Sequence, residues 1–102
     1  MFARINTVTV KPDADQAALQ NTSADWRALI QRQAGYVGHV AVVQGEGRMT
    51  IITLWESPEA AQGWLDNPAF QKLREERIAP NYASWTTSDG TVESADLRQS
   101  AG

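Results

Sequence analysis

The distribution of apolar and polar residues along the chain predicts four β-strands. Residues 2–10 alternate between the two classes and are rich in β-branched side chains, which is typical of a half-buried strand. Residues 36–43, 48–55 and 82–92 also have the character of strands. The second and third strands are joined by Gln44-Gly45-Glu46-Gly47, whose two glycines favour a tight hairpin. The pattern therefore predicts a single strand, then a hairpin, then a last strand.

Two helical regions separate these strands. Residues 13–33 carry apolar side chains at helical spacing, and Gly35 suits the position that ends a helix. Residues 57–59 are typical of a helix start, with a capping serine, a proline in the first turn and an acidic residue near the positive end of the helix dipole. The Asn67-Pro68 pair should break or kink this second helix, and a further helical segment is expected over residues 69–78.

The resulting order, β-α-β-β-α-β, predicts an α+β fold of the ferredoxin-like split βαβ type, an antiparallel sheet with both helices on one face. Apolar residues on the other face need cover, which a second copy can supply, so we expect a homodimer. We expect the domain to span residues 1–93, with a turn at residues 88–90 inside the last strand. Small and polar residues dominate residues 94–102, which predicts a flexible tail.

Composition and charge exclude several classes of function. The chain has 102 residues, with 9 Lys and Arg against 12 Asp and Glu and a net charge of −3. This balance favours neither nucleic acid nor an anionic membrane surface as a partner. The chain has no cysteine and one histidine, so we expect no bound metal ion. The first residues lack the apolar core of a signal peptide, and no segment has the length of a membrane span, so we expect a cytoplasmic protein.

Three polar side chains are candidates for binding or chemistry. Asn6 lies in the middle of a strand, where asparagine is depleted, and its amide is either buried with a partner or simply exposed or bonded to backbone. Arg74, on the second helical segment, is either a surface side chain or an anchor for an anionic or phenolic oxygen. His39 lies on an apolar strand face, where it is either structural or able to move a proton near neutral pH.

Tryptophan is concentrated where the third strand runs into a helix. Trp55 ends the strand and Trp64 lies on the helix, so both rings can lie between helix and sheet. Large aromatic side chains at such positions are most often core residues. Each indole nevertheless carries one N–H that needs a partner when buried. Two such donors and the Asn6 amide in one apolar gap would suit a planar ligand that bears oxygen atoms.

Several short motifs resemble one known family. They are Gly35-Tyr36-Val37-Gly38, Thr53-Leu54-Trp55-Glu56-Ser57-Pro58-Glu59-Ala60, Trp64-Leu65, Pro68-Ala69-Phe70 and Arg74-Glu75. Together they resemble the antibiotic biosynthesis monooxygenase domain over roughly residues 2–80. The resemblance implies a ferredoxin-like dimer whose two sheets pair into an α/β barrel. The motifs are specific for the fold and weak for the reaction, because the family is functionally mixed.

Two branches of the family fit different residues. The chain resembles the anthrone-type oxygenases of aromatic polyketide pathways, which use O₂ without metal, flavin or haem; this branch implies catalytic roles for Asn6, Trp55 and Arg74. The small haem-degrading oxygenases share an asparagine and a tryptophan matched by Asn6 and Trp64. Those enzymes also carry a histidine on the second helix, and the region around residues 74–76 has none.

The first branch implies a cofactor-independent monooxygenase that oxidises an electron-rich aromatic, of the anthrone or hydroquinone type, to a quinone. Asn6 would accept from the phenol and donate to the developing oxyanion, the Trp55 N–H would donate to a peroxide or carbonyl, and Arg74 would hold the enolate. The expected binding surface consists of Trp26, Trp64 and Phe70 as apolar walls, with His39 beside them. A haem oxygenase and a non-catalytic dimeric binding module are the alternatives.

Overall fold

The computed structural model describes residues 1–96, and its secondary structure follows the predicted order. The elements are β1 (Phe2–Val10), α1 (Gln16–Ile30), β2 (Tyr36–Gly45), β3 (Arg48–Trp55), α2 (Pro58–Leu65), α3 (Pro68–Leu73) and β4 (Tyr82–Thr91). A π-helical turn (Arg74–Ile78) and a 3-10 turn (Ala79–Asn81) join α3 to β4. The tail predicted over residues 94–102 lies outside the described residues from position 97 onward.

The four strands form one antiparallel sheet in the order β2-β3-β1-β4. This is the ferredoxin-like arrangement, so the predicted fold class is confirmed. Strand β1 is central, and Asn6 lies opposite Ile51 on β3 and Thr87 on β4. Because directly paired residues point to the same face of a sheet, these three side chains share one face.

Side-chain caps fix where the helices begin. The Asp15 carboxylate accepts from the backbone N–H groups of Ala17 and Ala18, so α1 begins at Gln16 and not at residue 13. The predicted start of α2 is confirmed, because the Ser57 hydroxyl accepts from the backbone of the first turn and a proline follows it. The predicted break after α2 is also confirmed: the Asn67 side chain caps a separate helix, α3.

Gly35 has a different role from the one expected. Helix α1 already ends at Ile30, so this glycine does not terminate it. Its φ is +78°, and a Cβ built there would lie 2.5 Å from the Cβ of Ala60. Its carbonyl accepts from the backbone N–H of Glu56 at 2.8 Å. Gly35 therefore allows the chain entering β2 to lie directly against the start of α2.

The turn predicted at residues 88–90 is wrong, because β4 continues through them. Ser88, Asp89 and Gly90 pair in register with Ile5, Arg4 and Ala3 of β1. Asp89 also forms an ion pair with the guanidinium of Arg4 at 2.9 Å. Turn-forming residues are thus held in a strand by the partner strand, a case of tertiary pairing overriding local preference.

The core lies between the helices and one face of the sheet. Its main buried cluster consists of Ile30, Trp55, Ala61, Trp64, Phe70, Leu73 and Ile78, and Val8 is fully buried on the same face of the sheet. On the opposite face the strands place Ile5, Val40, Val42, Ile52 and Leu54, and none of the helices described within residues 1–96 covers them; Val40 and Val42 are 41% and 45% exposed. None of the helices within residues 1–96 has the length and apolarity needed to cross a membrane.

Two valines on the helix-bearing face allow a matched test of the core. Val8 is 0% exposed and Val43 is 78% exposed. We expect Val8→Ala to lower the free energy of unfolding by about 2 kcal/mol, since it removes buried methyl groups and leaves a cavity. The same change at Val43 should alter the free energy of unfolding by less than about 0.5 kcal/mol. Urea unfolding followed by circular dichroism measures both, and equal losses would contradict the assigned core.

Candidate active site

A cavity of ≈ 590 Å³ lies between the sheet and the helices. This volume is within the range of small-molecule sites in proteins. From the sheet, the cavity is lined by Arg4, Asn6, Ile51, Thr53, Trp85 and Thr87. From the helices and the turn after them, it is lined by Trp26, Trp64, Leu65, Phe70, Arg74, Glu75 and Ile78. The structure thus brings together five of the seven side chains predicted from sequence: Asn6, Trp26, Trp64, Phe70 and Arg74.

The helix side of the cavity is an aromatic wall built around Trp64. The ring of Trp64 stacks on that of Phe70, with centroids 4.1 Å apart and planes 24° from parallel. Trp26 meets Trp64 edge-on at 6.5 Å and 79°. Aromatic faces of this kind offer apolar contact to a flat ring system, with preferred stacked and edge-to-face geometries.

Asn6 provides the central polar group of the opposite wall, and its amide is held in one orientation. Its Oδ1 accepts from Nε1 of Trp85 at 3.2 Å and from Oγ1 of Thr87 at 2.8 Å. An indole N–H can only donate, so the atom facing Trp85 must be the oxygen of the amide. The Nδ2 group, with its two hydrogens, has no partner within the described residues and remains available to a guest.

Trp85 and Thr87 also line the site, although nothing in the sequence alone marks them as site residues. They lie two positions apart on β4, so they face the same side of the sheet. Their spacing within the strand is visible in the sequence. Their position opposite Asn6 is not, because it depends on the pairing of β4 with β1, at opposite ends of the chain.

Trp55 does not line the cavity. The residue is 0% exposed, and its Nε1 donates to Oγ1 of Thr53 at 3.0 Å. The direct donation to a peroxide or carbonyl that was expected from sequence therefore does not fit this geometry, since the N–H is already donated inside the protein. Thr53 does line the cavity, so Trp55 meets the site through this hydroxyl.

His39 also lies off the cavity lining, beside Tyr36 and Trp26. Its Nδ1 shares a hydrogen bond of 2.7 Å with the hydroxyl of Tyr36, and its ring meets the edge of Trp26 at 5.2 Å. Burial lowers the pKa of His39, and the positive charge of Arg27 lowers it further. The structure therefore assigns His39 to the support behind Trp26 rather than to contact with a guest.

The guanidinium groups of Arg4 and Arg74 both line the cavity, but only that of Arg4 is held in an ion pair within the described residues. Arg4 is committed to Asp89 through two contacts and reaches the carbonyl of Ala61 at 3.4 Å. Arg74 lies over the ring of Phe70 at 5.8 Å, and no ion pair engages it within residues 1–96. Arg74 is therefore the cation that remains available to an anionic guest.

The π-helical turn supplies charged and apolar side chains to the cavity. Arg74, Glu75 and Ile78 of this turn all line it, in a conformation that often occurs at functional sites. Arg77 of the same turn forms an ion pair with Asp25 on α1, which fixes the turn to that helix. Glu75 is the one carboxylate among the lining residues in the described part of the chain.

Tyr82 closes the β4 side of the cavity. Its ring meets that of Trp85 at 5.7 Å and 89°, and burial raises the pKa of its hydroxyl. The phenol therefore stays protonated at neutral pH. In the described range, residues 1–96, no three histidine or acidic side chains come together as a set of metal ligands.

The fold and cavity are those of a small α+β protein with a largely apolar cavity, and the sequence assigns this protein to a family. The model of the antibiotic biosynthesis monooxygenase family matches residues 1–76, most of the chain. The protein therefore belongs to the antibiotic biosynthesis monooxygenase family. No curated protein matches the chain significantly.

Solved structures share the fold. SnoaB, a cofactor-independent oxygenase from Streptomyces nogalater, has 19% identity and a TM-score of 0.80, over 92% of this chain and 94% of its own. A protein of unknown function from Nitrosomonas europaea has 18% identity and a TM-score of 0.77, over 97% and 95%. A variant of MhuD with two manganese protoporphyrin IX molecules per active site has 26% identity and a TM-score of 0.72, over 97% and 100%.

Proposed function

We propose that the protein is a cofactor-independent monooxygenase that oxidises an electron-rich aromatic, of the anthrone or hydroquinone type, with O₂. The observation that carries the proposal is the composition of the cavity. An aromatic wall faces the amide of Asn6, and the guanidinium of Arg74 lies beside it; within residues 1–96 neither the amide N–H groups nor this guanidinium has a hydrogen-bond or ion-pair partner. A planar, oxygen-bearing guest would find ring contact on one side and hydrogen-bond donors on the other.

The chemistry needs no electrons beyond those of the substrate. An anthrone loses a proton from its methylene carbon to give an enolate, which transfers one electron to O₂. Recombination of the two radicals forms a C–O bond, and protonation gives a hydroperoxide. Loss of water from the hydroperoxide breaks the O–O bond and leaves the quinone carbonyl. One oxygen atom of O₂ ends in the product and the other in water.

The protein's contribution is to position the substrate and stabilise the enolate. The amide N–H groups of Asn6 would donate to the enolate oxygen, and Arg74 would favour the charged form electrostatically. The stacked pair of Trp64 and Phe70 would hold the rings. Glu75 is the lining carboxylate that can accept the proton, and Trp55 would act through Thr53.

Haem binding is the second candidate function, favoured by the likeness to MhuD, whose structure holds a metalloporphyrin. The donor set of this cavity argues against it. The histidine of this chain is not among the lining residues, and its Nδ1 is engaged with Tyr36. Without an imidazole facing the cavity, the residues do not fit haem as a histidine-ligated group. A non-catalytic binding module remains as a further alternative, which the turnover experiment below tests.

We further propose that the protein is a homodimer, joined through the uncovered face of the sheet. Ile5, Val40 and Ile52 lie side by side on that face, in three neighbouring strands. An apolar sheet face of this kind is usually buried against another layer. A second copy would bury it and form the α/β barrel expected for the family. A cytoplasmic location likewise stays a prediction.

Asn6→Ala should reduce turnover of an anthrone by about 100-fold or more, because it removes the donor to the developing oxyanion. O₂ uptake with a panel of anthrones and hydroquinones, in buffer treated with chelator, measures the rate. Asn21→Ala is the matched control: it makes the same change on the exposed surface of α1 and should leave the rate unchanged. Wild-type protein that turns over none of the panel, or Asn6→Ala at the wild-type rate, would contradict the proposal.

Titration with hemin tests the haem alternative directly. We expect weak, non-stoichiometric binding, and no Soret shift that depends on His39, because the cavity lining contains no imidazole. His39→Gln is the control variant and should behave as the wild type does. Tight one-to-one binding with a sharp Soret band would instead make haem binding the leading function.

A charge on the uncovered sheet face should break the dimer. We expect wild-type protein to sediment as a dimer and Val40→Asp to sediment as a monomer, because the carboxylate would be buried without a partner. Val43→Asp makes the same change on the helix-bearing face, at an exposed position, and should stay dimeric. A wild-type monomer at micromolar concentration would rule out this assembly.

A further inference from the structure

We infer that the two tryptophans Trp85 and Trp55 act as polarity locks: they occupy the acceptor atoms of Asn6 and Thr53, so that the sheet presents two hydrogen-bond donors to the cavity and binds a guest oxygen as an anion. This deepens the proposed function and rests on its assignment of the cavity. In this arrangement Thr53 contacts the substrate as a catalytic residue, and Trp85, Thr87 and Trp55 are positioning residues.

The first lock acts on Asn6. An amide side chain can turn either its oxygen or its NH₂ towards a ligand, and the two orientations have opposite preferences for charge. Here the oxygen accepts from Trp85 at 3.2 Å and from Thr87 at 2.8 Å. Turning the amide over would place its NH₂ against the indole N–H, donor against donor. The NH₂ is therefore held away from β4.

The second lock acts on Thr53 by the same logic. Its hydroxyl oxygen accepts from Nε1 of Trp55 at 3.0 Å, and the residue is 3% exposed and lines the cavity. The described structure gives its hydroxyl hydrogen no acceptor. A guest oxygen that accepts this hydrogen uses the one donor of Thr53, whereas a guest that donates has only the second lone pair of Oγ1 left to it.

The two donors are neighbours on one face of the sheet. Asn6 lies opposite Ile51, and Thr53 is two residues further along the same strand, so their side chains are diagonal neighbours. A phenolate or enolate oxygen above them can accept from both. The guanidinium groups of Arg4 and Arg74 also line the cavity and favour the anion. A neutral phenol must in addition place its own hydrogen, for which the lining offers the second lone pair of Thr53 and the carboxylate of Glu75, the group that can take up the proton. The arrangement therefore favours ionisation of the guest.

The test measures the ionisation of a bound probe without any turnover. The probe is 2-hydroxyanthraquinone, which is already a quinone and whose phenol and phenolate absorb at different wavelengths. Titrating its saturated complex with pH gives the pKa of the bound phenol. We expect the wild-type protein to lower that pKa by about one unit relative to water, a roughly tenfold preference for phenolate.

A double-mutant cycle separates the lock on Asn6 from simple packing. Trp85→Phe and Thr87→Val each leave the amide oxygen one donor, so each should reduce the phenolate preference only two- to threefold, approximately. The double variant frees the amide to turn, so it should remove the share of the preference that Asn6 supplies and leave the share of Thr53. This loss should exceed the product of the single effects. Thermal melting checks that each variant is folded.

The control makes the same two chemical changes elsewhere. Trp26 lines the cavity but its N–H holds no acceptor within the described residues, and Thr86 points to the opposite face of β4. Trp26→Phe/Thr86→Val should change the affinity for the probe and leave its bound pKa near the wild-type value. On β3, Thr53→Val should raise the pKa of the bound phenol. Thr53→Ser, which keeps the hydroxyl, should give a pKa close to that in the wild-type protein.

Three outcomes would overturn the inference. The first is a double variant in which the bound phenol keeps its wild-type pKa, and the second is an equal loss of phenolate preference in the control. The third is complete loss of that preference in Arg74→Gln alone, which would assign it to the guanidinium.

The pKa of the bound phenol is measured without any reaction with O₂, so it tests the inference separately from the proposed function. If the locks shift the probe as expected but no anthrone is oxidised, the proposed function fails and this inference stands. If anthrones are oxidised while the bound phenol titrates as in water, this inference fails and the proposed function stands.

Discussion

An indole ring carries a hydrogen-bond donor and no acceptor, and this asymmetry decides how the polar groups of the cavity are turned. Trp85 and Trp55 each direct an N–H at an oxygen atom of a neighbouring side chain, Asn6 and Thr53 respectively. The oxygens are thereby used inside the protein, and the hydrogens of the amide and the hydroxyl remain for a guest. A wall that would otherwise both donate and accept becomes one that mainly donates.

The fold supplies the conditions under which that asymmetry matters. The sheet places Asn6 on its central strand, and the helices cover the same face with Trp64 and Phe70, so the donors act within an apolar gap. Electrostatic effects are stronger in such surroundings than in water. The π-helical turn then adds Arg74, whose guanidinium is free of ion pairs in the described part of the chain. We propose that geometry, polarity and charge together favour an oxygen anion on a flat aromatic guest.

Much of the fold could be predicted from the sequence, because the elements are marked by local signals. β1 and β3 have the predicted bounds, and Ser57 and the Asn67-Pro68 pair start and divide the helices as expected. The errors occur where distant parts of the chain decide the structure. Asp89 looks like a turn residue until it pairs with Arg4, and Gly35 is needed for contact with Ala60 rather than to end a helix.

The site, like the fold, could be predicted from the sequence only in part. Residue type and spacing, together with a family resemblance, were enough to single out Asn6, Trp64, Phe70, Trp26 and Arg74, which the structure brings to one cavity. They could not give the partner of the Trp55 N–H, because Thr53 is as ordinary in sequence as any strand threonine. They also could not give Trp85 and Thr87, whose contact with Asn6 exists only once β4 pairs with β1.

We propose that the cavity holds a planar guest between the aromatic wall and the donors of the sheet. A crystal structure of the protein with 2-hydroxyanthraquinone tests it most directly. We predict a guest ring in contact with the stacked pair of Trp64 and Phe70, with the phenolic oxygen within about 3 Å of Nδ2 of Asn6 and Oγ1 of Thr53. A probe bound outside the cavity, or an Asn6 amide turned so that its oxygen faces the guest, would contradict the account.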